Sequence, residues 1–298
     1  MEIENLLTQF CDYSLHIRGY TPDTIKRYKF AIRFFWKHAQ PVNVGAVTPT
    51  MVQDWFLWGR VQRHWSASGC VTYHKSLLVF FRWCVQRGYI KENPASDLEL
   101  PKHEKRLPPK LTKQEALRIL EAAYNYPYTY THLRYRDHAI MAMFIYAGLR
   151  KTELIKLQYG DVDLENMSIF IRRGKGNKDR VVPICHNLAV TLHRYDKERR
   201  RLNKTCPQFF ASLIRDMGIT EISLRRIVLR VQKASKIKFG VHKLRHTFAT
   251  LMLEGGCDIY SLSRMMGHSD IKTTTIYLAA SAEHLRSQIM KHPLNEGM

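Results

Sequence analysis

Four prolines between Asn93 and Lys110 interrupt a chain that otherwise repeats its apolar residues at helical intervals, and that interruption forces a fold in two parts. Before it, Ile3, Leu6, Leu7, Phe10, Tyr13 and Ile17 fall on one helical stripe, and Ile25, Tyr28, Ile32, Phe35, Trp36 and Ala39 on another. Thr21-Pro22 and Thr48-Pro49 each set a capping hydroxyl before a proline, so helices are predicted to begin near 22 and 49. Leu77, Leu78, Phe81, Cys84 and Val85 mark a fourth helix ending near Gly88. All five tryptophans, at 36, 55, 58, 65 and 83, lie in this region and read as its core. The expected organisation is a helical N-terminal domain over 1–95, a linker over 96–110 and a second domain over 111–298, a division that suits 298 residues.

Thr112 and Glu115 form a capping box at the entrance to the second domain. An apolar helix runs through Ile140, Met143, Phe144 and Ile145 to a stop at Gly148. Met167 to Arg172 and Arg180 to Ile184 alternate like strands about Gly174-Lys175-Gly176-Asn177, whose glycines suit a hairpin and put Lys175 at its tip. From about 187 to 291 the spacing is helical again. The predicted fold class is mainly α with a small antiparallel β-sheet, in two domains.

Charge narrows the choice of partner. With 47 Lys and Arg against 26 Asp and Glu the chain carries +21 at pH 7. Residues 1–100 hold 12 basic and 8 acidic side chains, against 35 and 18 in the remainder, so the field belongs to the second part. Such a field attracts polyanions through counterion release, and double-stranded DNA is the leading partner. The six cysteines form no Cys-x-x-Cys pair, which points to a reducing compartment and away from a disulfide framework or cysteine zinc site. The acidic start Met1-Glu2-Ile3-Glu4 is unlike a secretory signal, and no apolar run approaches a membrane span of roughly 20 residues, so a soluble, cytoplasmic protein is expected.

Four features of the second domain carry chemistry: Gly148-Leu149-Arg150 with Glu153, the Lys175 hairpin, His242-Lys243-Leu244-Arg245-His246, and Gly267-His268 followed nine residues later by Tyr277. Each is weak evidence singly; their order and spacing are specific. The chain resembles the tyrosine recombinases, also called the phage integrase family, over nearly its whole length, and its ending from His284 to Pro293 resembles Xer-type enzymes. The resemblance implies that Arg150, Lys175, His242, Arg245, His268 and Tyr277 are catalytic and that Glu153 supports Arg150. It also implies that the N-terminal domain is a core-binding domain, the other half of a clamp around DNA.

The chemistry can be argued from the residue types. Negative charge spreads over the nonbridging oxygens when a DNA phosphodiester is attacked, and the two planar forks of Arg150 and Arg245 suit that charge. His268 adds a hydrogen bond. Tyr277 is the nucleophile, and as a phenol of pKa near 10 it needs a base, for which His242 is the candidate. Lys175 is the acid for the departing 5′ oxygen. The product is a 3′-phosphotyrosyl link that stores the bond energy for strand exchange, so no metal, ATP or other cofactor is expected. His242 and His246 have the i, i+4 spacing of a zinc helix, but Lys243 stands where that motif has glutamate, and His246 reads as a structural or phosphate-facing neighbour.

The activity so predicted is site-specific recombination, whether Xer-like dimer resolution or movement of an integrating element. Alternatives are a type IB topoisomerase and a non-catalytic DNA-binding protein. Arg199-Arg200-Arg201 and Arg225-Arg226 with Arg230 are expected to meet the DNA backbone. The stripe Leu285, Ile289, Met290 marks a tail, and the resemblance implies its cyclic exchange in a tetramer on two DNA sites, with a second recombinase or accessory protein as a possible further partner.

Overall fold

The structure is a computed structural model that describes residues 3–102, 109–172, 179–212, 214–268 and 270–280. It divides into two units, Met1–Lys105 and Arg106–Met298. The first is built from α1 (Ile3–Asp12), α2 (Pro22–Ala39), α3 (Pro49–Val61) and α4 (Ala67–Gln86), with a π-helical turn over Tyr13–Ile17 and a 3₁₀ turn over Val44–Ala46. The starts of α2 and α3 fall where the Thr-Pro pairs predict them. The Thr21 hydroxyl accepts from the Thr24 amide at 3.3 Å and the Thr48 hydroxyl from the Met51 amide at 3.2 Å, while both prolines occupy a position whose N–H has no helical partner.

The interior of this unit is aromatic. Phe10, Phe35, Trp55, Phe80 and Phe81 are fully buried, with Phe35 edge-on to Trp55 at 5.4 Å between centroids. Trp83 is buried too, and Trp36, Trp58 and Trp65 pack against the cluster half-buried, so the tryptophans serve as core. The same core extends into the predicted linker. Beyond buried Ala95, Leu98 and Leu100 pack on its edge.

The second unit comprises α5 (Lys113–Asn125), α6 (Thr131–Tyr146), α7 (Lys151–Lys156), β1 (Val162–Asp163), β2 (Ser168–Ile171), β3 (Arg180–Pro183), α8 (His186–Arg201), α9 (Glu221–Ser235), α10 (Val241–Glu254), α11 (Ile259–Met266) and α12 (Lys272–Ala280). The capping box forms as predicted: the Thr112 hydroxyl accepts from the Glu115 amide at 3.1 Å, and the Glu115 carboxylate accepts from the Thr112 amide at 2.7 Å. α6 is the axis of the unit, buried without a break from Ala139 to Ile145 and packed against α5, α8 and α10. Its last turn ends at Gly148, whose φ of +60° and whose contact with the Phe248 ring, 2.2 Å from where a Cβ would stand, admit only glycine.

The three strands form one antiparallel sheet in the order β1-β2-β3, with Ser168 opposite Pro183 and Ile171 opposite Arg180. β2 and β3 are the predicted hairpin arms; β1, two residues long, is too short to leave a periodic signal. Lys175 and the rest of 173–178 lie outside the described residues, as do Ser281 and the tail beyond it.

Two basic runs differ from expectation. Arg199 is buried on α8, donating to the carbonyl oxygens of Lys204 at 2.7 Å and Cys206 at 2.5 Å. Arg230 turns inward to Asp137 at 2.5 Å. Both guanidiniums satisfy buried acceptors of the fold, which a charge run cannot reveal; Arg225 and Arg226 stay exposed. Among the described residues no helix is long and apolar enough to cross a membrane, and no three His, Cys, Asp or Glu side chains gather as a metal site.

Candidate active site

The turn that ends α11 draws the site together. Gly267 takes φ +63° and closes the helix, leaving the carbonyls of Met266 and Gly267 at the negative end of the helix dipole. Two guanidiniums converge on it. Arg150, at the N-cap of α7, donates from Nη2 to the Gly267 oxygen at 2.8 Å, and Arg245, in the second turn of α10, donates from Nη2 to the Met266 oxygen at 2.6 Å. Arg245 also donates from Nη1 to the Gly148 carbonyl, so the turn that ends α6 and the turn that ends α11 hold the same side chain from two directions. Burial, then repulsion from Arg150, pull Arg245 down to about 10, still cationic at neutral pH.

Arg150 is fixed through Glu153. That carboxylate accepts from Arg150 Nη1 at 2.7 Å and from the Arg150 amide at 2.7 Å. Its other donor is Arg180 on β3, which forks onto both oxygens at 2.8 Å and donates from Nε to the Met265 oxygen at 2.8 Å. Burial alone raises the Glu153 carboxyl, but the hydrogen bonds and charge of Arg180 and the contacts from Arg150 outweigh it and hold the group at about 2. Arg180 escaped the sequence reading, although a signal existed. It lies on the same face of β3 as buried Val182, and an arginine on the inward phase of a strand requires a buried acid.

His268 follows the αL glycine directly. Its Nε2 lies 3.3 Å from Arg245 Nη2 and its Nδ1 lies 2.7 Å from the hydroxyl of buried Thr274, which orients the ring. Tyr277, one turn on from Thr274 along α12, is buried at 2 % exposure. Burial raises its phenol while the charges of Arg245 and Arg150 oppose the rise, so these three groups share one electrostatic environment. The Tyr277 hydroxyl is 2.8 Å from Nδ1 of His246.

Of the six residues singled out from the sequence, Arg150, Arg245, His268 and Tyr277 therefore come together, His242 stands exposed in the first turn of α10, and Lys175 lies outside the described residues. The contact that sequence reasoning missed is that of His246, whose partner lies 31 residues away.

The phage integrase family pattern matches residues 109–284, and the family's N-terminal SAM-like domain matches residues 6–91. The chain belongs to the phage integrase family. Tyrosine recombinase XerA of Pyrococcus horikoshii is 32% identical over 297 residues, 98% of this chain and 95% of that one. XerD of Listeria monocytogenes is 31% identical over 284 residues, 92% and 94% of the two chains. The crystal structure of the XerH site-specific recombinase in a post-cleavage complex with palindromic difH superposes with a TM-score of 0.74 at 20% identity, over 96% of this chain and 83% of that one, which shows a shared fold. The chain is thus a tyrosine recombinase, a class that cleaves and rejoins DNA at specific sites, and these relatives do not favour a topoisomerase or a non-catalytic binding protein. The carbonyls that receive Arg150 and Arg245 keep two cations close together.

Proposed function

We propose that this recombinase cuts DNA through Tyr277, with Arg150 and Arg245 gripping the nonbridging oxygens of the scissile phosphate as charge builds on them. The observation that carries this reading is the meeting of both guanidiniums at the Met266–Gly267 carbonyls, beside His268 and within the field felt by Tyr277. Like charges are held together at a cost that a bound phosphodiester relieves, so the pair is preorganised for an anion.

His268 donates to the same phosphate; Nε2 can carry the proton because the Thr274 hydroxyl on Nδ1 can donate as readily as accept. Lys175 protonates the departing 5′ oxygen. The proton of Tyr277 leaves through an imidazole of α10, where His242 and His246 stand one turn apart. The 3′-phosphotyrosyl bond conserves the energy of the cleaved bond, and attack by a 5′-hydroxyl of a second strand completes exchange without metal or ATP.

Double-stranded DNA is the partner, bound by both units, as supported by the charge and by the DNA complexes of structural relatives. The working assembly is a tetramer on two DNA sites, in which a second recombinase or an accessory protein is a further possible partner. An apolar groove lined by Ala116, Leu117 and Leu120 of α5, Ile145 and Tyr146 of α6 and Leu251 of α10 supports this reading, since it offers a seat for Leu285, Ile289 and Met290 of a neighbour's tail.

The test uses a pool of nicked duplexes of randomised sequence, in which loss of the short cleaved strand traps protein on DNA. Wild type is expected to form an adduct that survives denaturant and is indifferent to EDTA. Tyr277→Phe is expected to retain the same duplexes and form none; adduct from Tyr277→Phe at the wild-type level rejects the nucleophile.

A further inference from the structure

Two imidazoles of α10 are candidates for the proton of Tyr277, and they differ in every respect that matters to a base. His242 is exposed, and among the described residues it makes no hydrogen bond to the tyrosine. His246 is half-buried, its Nδ1 lies 2.8 Å from the Tyr277 hydroxyl, and its ring is tilted by 49° against the phenol at 5.5 Å between centroids. That is the one hydrogen bond of the Tyr277 hydroxyl among the described residues. The turn that carries His246 is tied down by Thr250, whose hydroxyl donates to the His246 carbonyl at 2.9 Å. We infer that His246 is the catalytic residue that takes the proton from Tyr277 in the cleavage step, through Nδ1, and returns it on religation.

This inference rests on Tyr277 as nucleophile. A general base must first touch the proton it removes, and His246 satisfies that condition. The electrostatics agree. Burial, then the neighbouring His242 and Arg245 on its own helix, push His246 below its ordinary value, which favours the uncharged ring at neutral pH; the inference requires the tautomer with its proton on Nε2, so that Nδ1 accepts. From α12 the facing group is Tyr277, a buried phenol raised by that burial and eased by Arg245 and by Arg150 from the start of α7. Such a phenol stays protonated at neutral pH and attacks only if a base is in contact.

A depressed base is a weak one, and the substrate corrects this in part. Burial and His242 lower His246 most, and a phosphodiester beside Arg245 offsets the smaller contribution of that arginine, so the imidazole gains basicity when the phosphate arrives. The step balances: the O–H bond of Tyr277 breaks, its proton goes to His246 Nδ1, the phenolate oxygen bonds phosphorus, the bond from phosphorus to the 5′ oxygen breaks, and that oxygen takes a proton from the acid assigned to Lys175. Religation runs the same transfers backwards.

The experiment follows adduct formation by the full chain on one nicked duplex recovered from the randomised pool, from about pH 5 to about pH 8.5. Wild type, His246→Asn, His242→Asn and Tyr277→Phe are compared, with DNA retention measured alongside. Asparagine places an acceptor near the position of Nδ1 but cannot take the proton. His246→Asn is expected to form adduct about 10²-fold more slowly at neutral pH with DNA retention unchanged, and to lose the fall in rate that wild type shows on the acid side of about pH 6.5. His242→Asn is expected to keep that acid fall.

A His246→Asn rate equal to or faster than wild type, or an intact acid fall in that variant, overturns the assignment and leaves the contact as a resting place for the phenol. Should the variant fail to fold, the wild-type ¹⁵N resonance of His246 Nδ1 decides: an acceptor-type shift at neutral pH sustains the inference and a protonated nitrogen ends it. Absence of a Tyr277 adduct in wild type would instead remove the nucleophile, so the two failures are distinguishable.

Discussion

The two units bury different things. Inside the first are rings and aliphatic chains, and its Glu4–Arg33 ion pair at 2.6 Å stays on the surface with both side chains more than half exposed. Inside the second, charges are buried beside an apolar core: Asp137 is fully buried between Arg136 and Arg230, and Glu153 lies between Arg150 and Arg180. The first interior is specified by volume, the second by volume and charge pairing together. A buried ion pair adds little net stability, yet removing one member strands the other, so the second unit holds its arginines in place under penalty. That is the property an anion-binding site needs, because guanidiniums already fixed lose little entropy when a phosphate arrives.

The contrast can be broken at either end. The largest effect on activity belongs to Arg245→Ala, which removes a cation from the proposed phosphate grip and the donor to the Gly148 and Met266 carbonyls. Adduct formation on a nicked duplex is expected to fall by about 10²- to 10³-fold. A loss below about tenfold would separate this arginine from the chemistry.

Glu153→Gln comes next. The substitution is isosteric, but it leaves Arg150 and Arg180 without their anion and is expected to destabilise the chain by about 3–5 kcal/mol in denaturant unfolding, with cleavage reduced because Arg150 is released. The pH dependence has a definite sign. Glu153 is held at about 2, below its ordinary 4.5, so its stabilising contribution is complete above about 4.5 and is lost as pH falls towards 2. Wild type should lose stability through that window, and Glu153→Gln should lose less.

In the first unit the equivalent probe is Trp55→Phe. It removes volume from a fully buried ring, yet the Trp55 indole N–H has no hydrogen-bond partner among the described residues, so deleting it relieves an unsatisfied donor. The expected cost is about 1–2 kcal/mol. If the isosteric change in the second unit proves milder than the volume change in the first, the distinction between the two interiors is wrong.

How much of this was legible in the sequence follows the same line. Helix starts at Thr21, Thr48 and Thr112 were readable because a cap is a contact between residues three apart, and the aromatic core was readable because it repeats at the helical period. Arg150, Arg245, His268 and Tyr277 were readable because motif spacing carries them. The inward turns of Arg199 and Arg230, the identity of the acid that Arg180 grips and the bond between His246 and Tyr277 were not, since each depends on a partner outside the helix or strand that carries the residue. The π-helical turn after α1 and the two-residue β1 left no periodic trace. A charge run reports that cations are present; only the fold tells which of them remain for DNA.

The central claim is that the strand break is stored on one phenol. It is tested most directly by trapping wild-type protein on the nicked duplexes, digesting the adduct with nuclease and trypsin, and locating the nucleotide by mass. The account predicts nucleotide mass on Tyr277, in the peptide Thr273 to Arg286; a nucleotide on any other side chain, or cleaved DNA with none attached to protein, would contradict it.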